Sequence, residues 1–163
     1  MDKLLLFVDG SVDPALKIGF GAFLVNDENE SSIESNSKQV KVRRFDNTSS
    51  TKLELQTLIW ALNEHQGVNR KIVVFTDSQN IIGLPGRRKR LEQNDYHSGQ
   101  NDRLKNHGLY RAFYQLLDQY HFELVKVVGH QSSMHKNDID RLFTRVDKVA
   151  RKALKAYKTT MGL

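Results

Sequence analysis

The chain has 163 residues, 39% hydrophobic and 27% charged, with ten Gly, two Pro and no Cys. That length suits a single globular domain over 1–163, the composition excludes disordered and fibrous classes, and the lack of Cys removes disulfide frameworks, thiolate nucleophiles and Cys-based zinc sites. Lys and Arg number 25 against 19 Asp and Glu, a net charge of +6 that suits a polyanionic partner; no apolar run approaches the ~18 residues that span a bilayer, so a cytoplasmic protein without a membrane segment or secretory signal is expected.

Residues 3–8 are almost continuously apolar and meet Asp9-Gly10-Ser11, which predicts a strand covered on both faces and ended by a turn. Gly19 and Gly21 open a second strand over 22–25, the polar stretch 26–37 reads as a hairpin turn, and a third strand is predicted around 39–45. Short links make these three an antiparallel meander. Ser49 and Ser50 are candidate caps for a helix from about 51 to 65, ended near Gly67. A further apolar strand over 71–75 is stopped by Thr76-Asp77-Ser78. The stretch 83–100 contains Pro85-Gly86-Arg87-Arg88-Lys89-Arg90, has no clean period and reads as a basic excursion. A helix over 101–120, a strand over 122–128 stopped by Gly129-His130, and a long amphipathic helix over 138–157, capped by Asn137 or Asp138, complete the order β-β-β-α-β-α-β-α.

Strands joined through helical crossovers run parallel, so the strands before Asp77 and His130 should lie parallel to the first. The fold class is therefore α/β: a five-stranded mixed sheet, three antiparallel strands then two parallel crossovers, flanked by helices. Ligands bind beyond the carboxyl ends of such parallel strands, where this chain carries Asp9, Asp77 and His130.

On the helix over 51–65, Glu54 falls within the arc of Leu55, Leu58, Ile59, Ala61 and Leu62. An ionised carboxylate there needs a cation, a hydrogen-bond network or a raised pKa. The alternative is an Arg partner, or the favourable dipole at the helix start. The last helix presents Ile139, Leu142, Phe143, Val146, Val149, Ala150, Ala153, Leu154 and Tyr157 as a core stripe, with Asp140 and Asp147 on its border. Its outer face, Lys148, Arg151, Lys152, Lys155 and Lys158, reads as solvated surface, and Asp147 taken alone as a surface ion pair. Taken together, Asp9, Glu54, Asp77 and Asp147 form an oxygen-only set of the kind that takes Mg²⁺. Without a cation such acids raise one another's pKa values. Two ions roughly 3.5–4 Å apart would activate water on one side of a phosphodiester and stabilise the leaving oxygen on the other.

Five segments carry a resemblance: Phe7-Val8-Asp9-Gly10-Ser11 with Gly19-Phe20-Gly21-Ala22; Ser50-Thr51-Lys52-Leu53-Glu54-Leu55; Val74-Phe75-Thr76-Asp77-Ser78-Gln79; Val128-Gly129-His130; and Val146-Asp147-Lys148-Val149-Ala150-Arg151. In this order they resemble ribonuclease H type 1, of the retroviral-integrase-like polynucleotidyl-transferase superfamily. The resemblance implies a ribonuclease H-like fold and a Mg²⁺- or Mn²⁺-dependent endonuclease, with two ions per site, cutting the RNA strand of an RNA–DNA hybrid to leave 5′-phosphate and 3′-hydroxyl ends. It implies Asp9, Glu54, Asp77 and Asp147 as catalytic metal ligands and His130 as the mobile histidine of proton transfer or product release. Ser11, Ser50, Thr51, Ser78 and Gln79 occupy places of hybrid contact; Arg87, Arg88, Lys89 and Arg90 resemble the bacterial basic handle in position but not in sequence. The chain departs from the pattern in its longer spacing from His130 to Asp147, which leaves Asp138 or Asp140 as competing fourth ligands. A monomer without a separate hybrid-binding tether is expected. The alternatives are a catalytically silent nucleic-acid-binding module of the same fold, or a related DNA nuclease.

Overall fold

Strict alternation along the central strands divides the core in two. The computed structural model describes residues 3–28, 39–100, 102–128 and 138–163. The elements run β1 (Leu4–Asp13), β2 (Ile18–Asp27), β3 (Lys41–Asp46), α1 (Ser50–Asn63), β4 (Ile72–Thr76), α2 (Gln79–Gln93), α3 (His107–Tyr120), β5 (Glu123–Lys126) and α4 (Asp138–Thr160). The five strands form one sheet in the order β3-β2-β1-β4-β5. β1 pairs antiparallel with β2 and β2 with β3, while β1–β4 and β4–β5 are parallel, as the mixed-sheet reading requires.

Leu4, Leu6 and Val8 of β1, with Ile72 and Val74 of β4, pack against Leu55, Leu58 and Leu62 of α1, Ile81 and Leu84 of α2 and Phe113 of α3. Phe7, Val73 and Phe75 face the other way, onto Leu142, Phe143, Val146 and Ala150 of α4. Phe7 and Phe75 stack with ring centroids 4.8 Å apart, at the last pair of the parallel β1–β4 register. Among the described residues no helix is long and apolar enough to cross a membrane.

The structure corrects the sequence reading in three places. β1 does not end at Asp9: its ladder with β2 continues through Gly10↔Gly21 to Asp13↔Ile18, and only its pairing with β4 stops at Phe7↔Phe75. The turn comes four residues later, where Asp13 Oδ1 accepts from the backbone N–H of Ala15 and Leu16, at 3.0 Å each, and Lys17 takes φ 56°. The basic excursion is a helix, α2, despite Pro85 within it. Its inner stripe is Ile81, Leu84, Arg88 and Leu91, helical spacing that an arginine disguises in the sequence. Arg88 lays its guanidinium 5.1 Å from the Tyr114 ring centroid and pairs with Glu92 and Asp118, so a charged side chain fills a position that would otherwise be apolar. The element order is therefore β-β-β-α-β-α-α-β-α, with α3 beginning six residues later than predicted and α4 ending three later. Most of the predicted hairpin turn at 26–37 lies outside the described residues.

Close approach of α1 to the sheet depends on glycine. A Cβ at Gly21 would lie 2.1 Å from Thr57 Oγ1, and one at Gly10 would lie 2.8 Å from Leu53 Cδ2. Thr57 cannot readily yield, because its hydroxyl donates to Leu53 O at 2.7 Å and it is buried. Gly21→Ala should cost about 1–3 kcal/mol as overpacking, read as a lower urea midpoint; Thr57→Ala in the same chain should recover part of that loss. Additive destabilisation in the double variant would show that the contact is not the cause.

Candidate active site

The rim where β1 and β4 part company gathers side chains from four elements. On β1, the alternation that turns Phe7 toward α4 turns Asp9 the same way, one step beyond the last β4 pair. Asp77 follows β4 directly and continues the face of Phe75. Glu54 arrives from α1 on the opposite face, and α1 can approach because Gly10 and Gly21 leave room for Leu53 and Thr57. Asp147 stands on α4 next to the buried Val146. Val8, Asp9, Gly10, Glu54, Thr57, Thr76, Asp77 and Ile81 line a small pocket at this rim.

Three of the four carboxyls are shifted upward. Burial raises Asp9 most, to about 8, reinforced by its hydrogen bond to Asp147 and by the negative charges of Asp77 and Asp147. In that bond the protonated Asp9 carboxyl donates to Asp147, as two acids in contact require. Glu54 is raised by burial and by Asp77, against the lowering effect of hydrogen bonds from Ser78 and Ser50. Asp77 is raised by the protein packed around its carboxyl and then by Asp147, and lowered by its own backbone N–H, Arg151 and Lys126. The compensation anticipated for Glu54 is thus a hydroxyl network plus a raised pKa, with no arginine in it. Ser78 Oγ donates to Glu54 Oε2 and also accepts from Ile81 N at 3.2 Å as the α2 cap, so one buried hydroxyl ties two helices together at the site.

Asp147 is the α4 acid that touches Asp9. Asp138 is exposed, 3.9 Å from Arg141, and Asp140 lies about two turns N-terminal of Asp147. Arg151 Nε donates to Asp147 Oδ1 at 3.0 Å, so the surface ion pair and the carboxylate cluster, posed as rival readings, coexist. That partner was legible as an i, i+4 pair; the Thr57 contribution to the pocket wall was not, since it depends on α1 docking. Among the described residues no three His, Asp or Glu side chains are arranged as a set that could hold a metal ion. Glu54 is turned to Ser78, and Asp147 to Asp9 and Arg151. The chemistry of the donors nevertheless fits a hard divalent cation: they are oxygen ligands only, and Asp9, Glu54 and Asp77 face the pocket with pKa values raised first of all by burial.

The remaining candidates are distributed as follows. Ser49, not Ser50, caps α1, accepting from Lys52 N at 3.3 Å, which leaves Ser50 to bond Glu54. Ser11 is half-buried on β1; Ser50 and Gln79 are exposed and Thr51 half-exposed, all near the rim. Lys126 Nζ donates to Gln79 Oε1 at 2.6 Å. In α2, Arg87 is bound to Asn80 and Arg88 to Glu92 and Asp118, while Lys89 and Arg90 are exposed. His130 lies outside the described residues.

Comparison with known proteins agrees with this architecture. The RNase H family model matches residues 1–155. A ribonuclease H of Syntrophomonas wolfei subsp. wolfei is 27% identical over 160 residues, covering 96% of this chain and 99% of the relative. The crystal structure of LC9-RNase H1, a type 1 RNase H with the type 2 active-site motif, matches with a TM-score of 0.70 at 18% identity, over 93% of this chain and 71% of that one. The prototype foamy virus protease-reverse transcriptase matches with a TM-score of 0.63 at 17% identity, over 91% of this chain and 20% of that one. With a family match running from β1 into α4, over elements that meet in the order and pairing derived above, the chain belongs to the ribonuclease H family.

Proposed function

We propose that this ribonuclease H hydrolyses the RNA strand of RNA–DNA hybrids with Asp9, Glu54, Asp77 and Asp147 holding divalent cations, Mg²⁺ or Mn²⁺, two per site. The observation that carries the residue assignment is the convergence of these acids on one rim, with Asp9 hydrogen-bonded to Asp147 and burial raising Asp9, Glu54 and Asp77. When bound, such cations activate a water for in-line attack and stabilise the leaving oxygen. The chain's own residues do the rest. Ser78 and Ser50 orient Glu54. Arg151 holds Asp147 beside Asp9 and offsets the charge at Asp77. Asp77, exposed, reaches furthest toward a docked strand. Ser11, Ser50, Thr51 and Gln79 offer small polar groups around the rim, suited to the 2′-hydroxyls of a wide, shallow groove. Ser78 acts through Glu54 rather than at the surface. His130 keeps its proposed role in proton transfer or product release.

A catalytically silent binding module draws support from one observation, the Arg151–Asp147 bridge, which keeps one acid neutralised without a cation. A gel assay separates the readings: labelled RNA–DNA hybrid should be cut in its RNA strand with Mg²⁺ and not with EDTA, while duplex RNA and duplex DNA stay intact. Binding without metal-dependent cutting would favour the silent module, and cutting of duplex DNA the related nuclease.

A further inference from the structure

We infer that the outer face of α4, through Lys148, Lys152 and Lys155, is the main phosphate-gripping surface of this protein and binds the backbone of the hybrid; the inference rests on the nucleic-acid reading above and assigns it a surface. Over its whole length α4 carries seven Lys and Arg against three acids, so this one helix supplies +4 of the chain's net +6, and beyond its first turn the only acid is Asp147. An ordinary solvated helix face interleaves acids and bases at i, i+4. After Asp147, α4 has no acid at all.

The basic run that looked suited to phosphate is half spent within the fold. Arg87 is bound to Asn80, and Arg88 is paired with Glu92 of α2 and Asp118 of α3 at the surface. Lys148, Lys152 and Lys155, in contrast, are exposed, and among the described residues none of them has an ion-pair or hydrogen-bond partner. They recur at i, i+4 and i+7, so they form one stripe on the side away from Leu142, Val146 and Ala150. The stripe is anchored at both ends. At one end Arg151 and Asp147 tie it to Asp9; at the other Lys158 Nζ binds Asp13 Oδ2 at 2.8 Å, and Tyr157 lies under the Arg44 guanidinium at 5.5 Å. From Lys148 to Lys155 the helix spans about 10 Å at 1.5 Å per residue, roughly three nucleotide steps of a strand at 3.4 Å each. A duplex whose cut strand reaches the acid rim can therefore lay its backbone on free ammonium groups beginning one residue from Asp147. Lysines at this spacing contact phosphate without reading bases, so the grip adds affinity, not sequence choice.

The test is the salt dependence of binding, measured by fluorescence anisotropy with a labelled RNA–DNA hybrid in Ca²⁺, for the parent, the triple variant Lys148→Gln/Lys152→Gln/Lys155→Gln, the triple Lys→Arg variant, and Lys89→Gln/Arg90→Gln. Neutralising three phosphate contacts should flatten the slope of log K against log salt by about 2 to 3. Between 50 and 200 mM salt, the parent should then lose about 40-fold more affinity than the Gln variant, and the Arg variant should keep the parental slope. Lys89→Gln/Arg90→Gln should change the slope less. The Gln variant should lose binding to duplex DNA in step, because only phosphates are read. A parental slope in the Gln variant, or a larger change in Lys89→Gln/Arg90→Gln, overturns the assignment, as does a parent that binds no nucleic acid. Failure of the functional reading is distinguishable: a parent that shows stripe-dependent binding but never cuts hybrid in Mg²⁺ keeps this surface and loses the nuclease assignment.

Discussion

Replacing Asp77 by Asn is expected to abolish cleavage of RNA–DNA hybrid while leaving hybrid binding largely intact and making the metal-free protein more stable. The substitution keeps the shape of an exposed side chain and removes one charge. Asp77 raises both Asp9 and Glu54 through its charge, so its loss relieves repulsion at two half-buried carboxyls. The same loss takes away a proposed cation ligand. Replacing partners that merely orient a metal ligand typically costs 10–100-fold in activity, so loss of the ligand itself should exceed about 100-fold. Steady-state cleavage in Mg²⁺, anisotropy binding in Ca²⁺ and thermal melting in EDTA at pH 8 read the three effects. A variant that still cuts at parental rates would remove Asp77 from the chemistry. Reduced melting temperature in EDTA would show that Asp77 serves structure and not function, since functional acids held close together destabilise the empty fold.

The second large effect is a reversal of the pH dependence of stability by divalent cations. Asp9 has a folded-state pKa near 8 against an unfolded value near 3.8, so the folded state holds the extra proton throughout that window. Its stabilising contribution is fully present below the unfolded value and is lost as pH rises through about 8. Glu54 and Asp77, also raised, act in the same sense. Asp13, Asp95 and Asp118 act oppositely: each is lowered, first of all by a hydrogen bond from Lys158, Arg103 or Arg88, and their contributions fade only as pH falls below the ordinary carboxylate range. In EDTA the melting temperature should therefore be highest at mildly acidic pH and fall steadily toward pH 8. Cations that bind only the folded, deprotonated set stabilise by RT ln(1 + [M]/Kd), about 2.7 kcal/mol at one hundred times Kd, and do so more at pH 8 than at pH 6. Melting curves from pH 5 to 8.5 with and without Mg²⁺ check this. An equal rise at pH 6 and pH 8, or none, would show that the cluster does not take the cation as a deprotonated set.

How far each feature was readable follows from the range of the interactions behind it. Leu4 to Val8 and Ile72 to Phe75 announce central strands because both faces are covered, and helix-length crossovers then force parallel pairing. The Glu54 anomaly was legible because an acid inside an apolar arc breaks a local period. α2 was misread for the converse reason: Arg88 breaks the period without breaking the helix, and its compensation lies thirty residues away at Asp118 and on Tyr114. The end of β1 was misplaced because Gly10 reads as a turn residue, whereas its missing side chain is needed to admit Leu53.

From the amino-acid order alone came the five strands, every helix but α2, the mixed sheet, the acids singled out by motif, and a cationic chain in search of a polyanion. These rest on periodicity, local turn chemistry and composition, which need no knowledge of what folds against what. Only the tertiary structure decided that Asp147 is the α4 acid in contact with Asp9, that Ser78 and Ser50 are the groups holding Glu54, and that Arg87 and Arg88 are consumed internally while Lys148, Lys152 and Lys155 stay free. Each of those outcomes depends on how α1, α2 and α4 seat on opposite faces of one sheet. Contacts between side chains dozens of residues apart are selected by packing, and no local pattern encodes them.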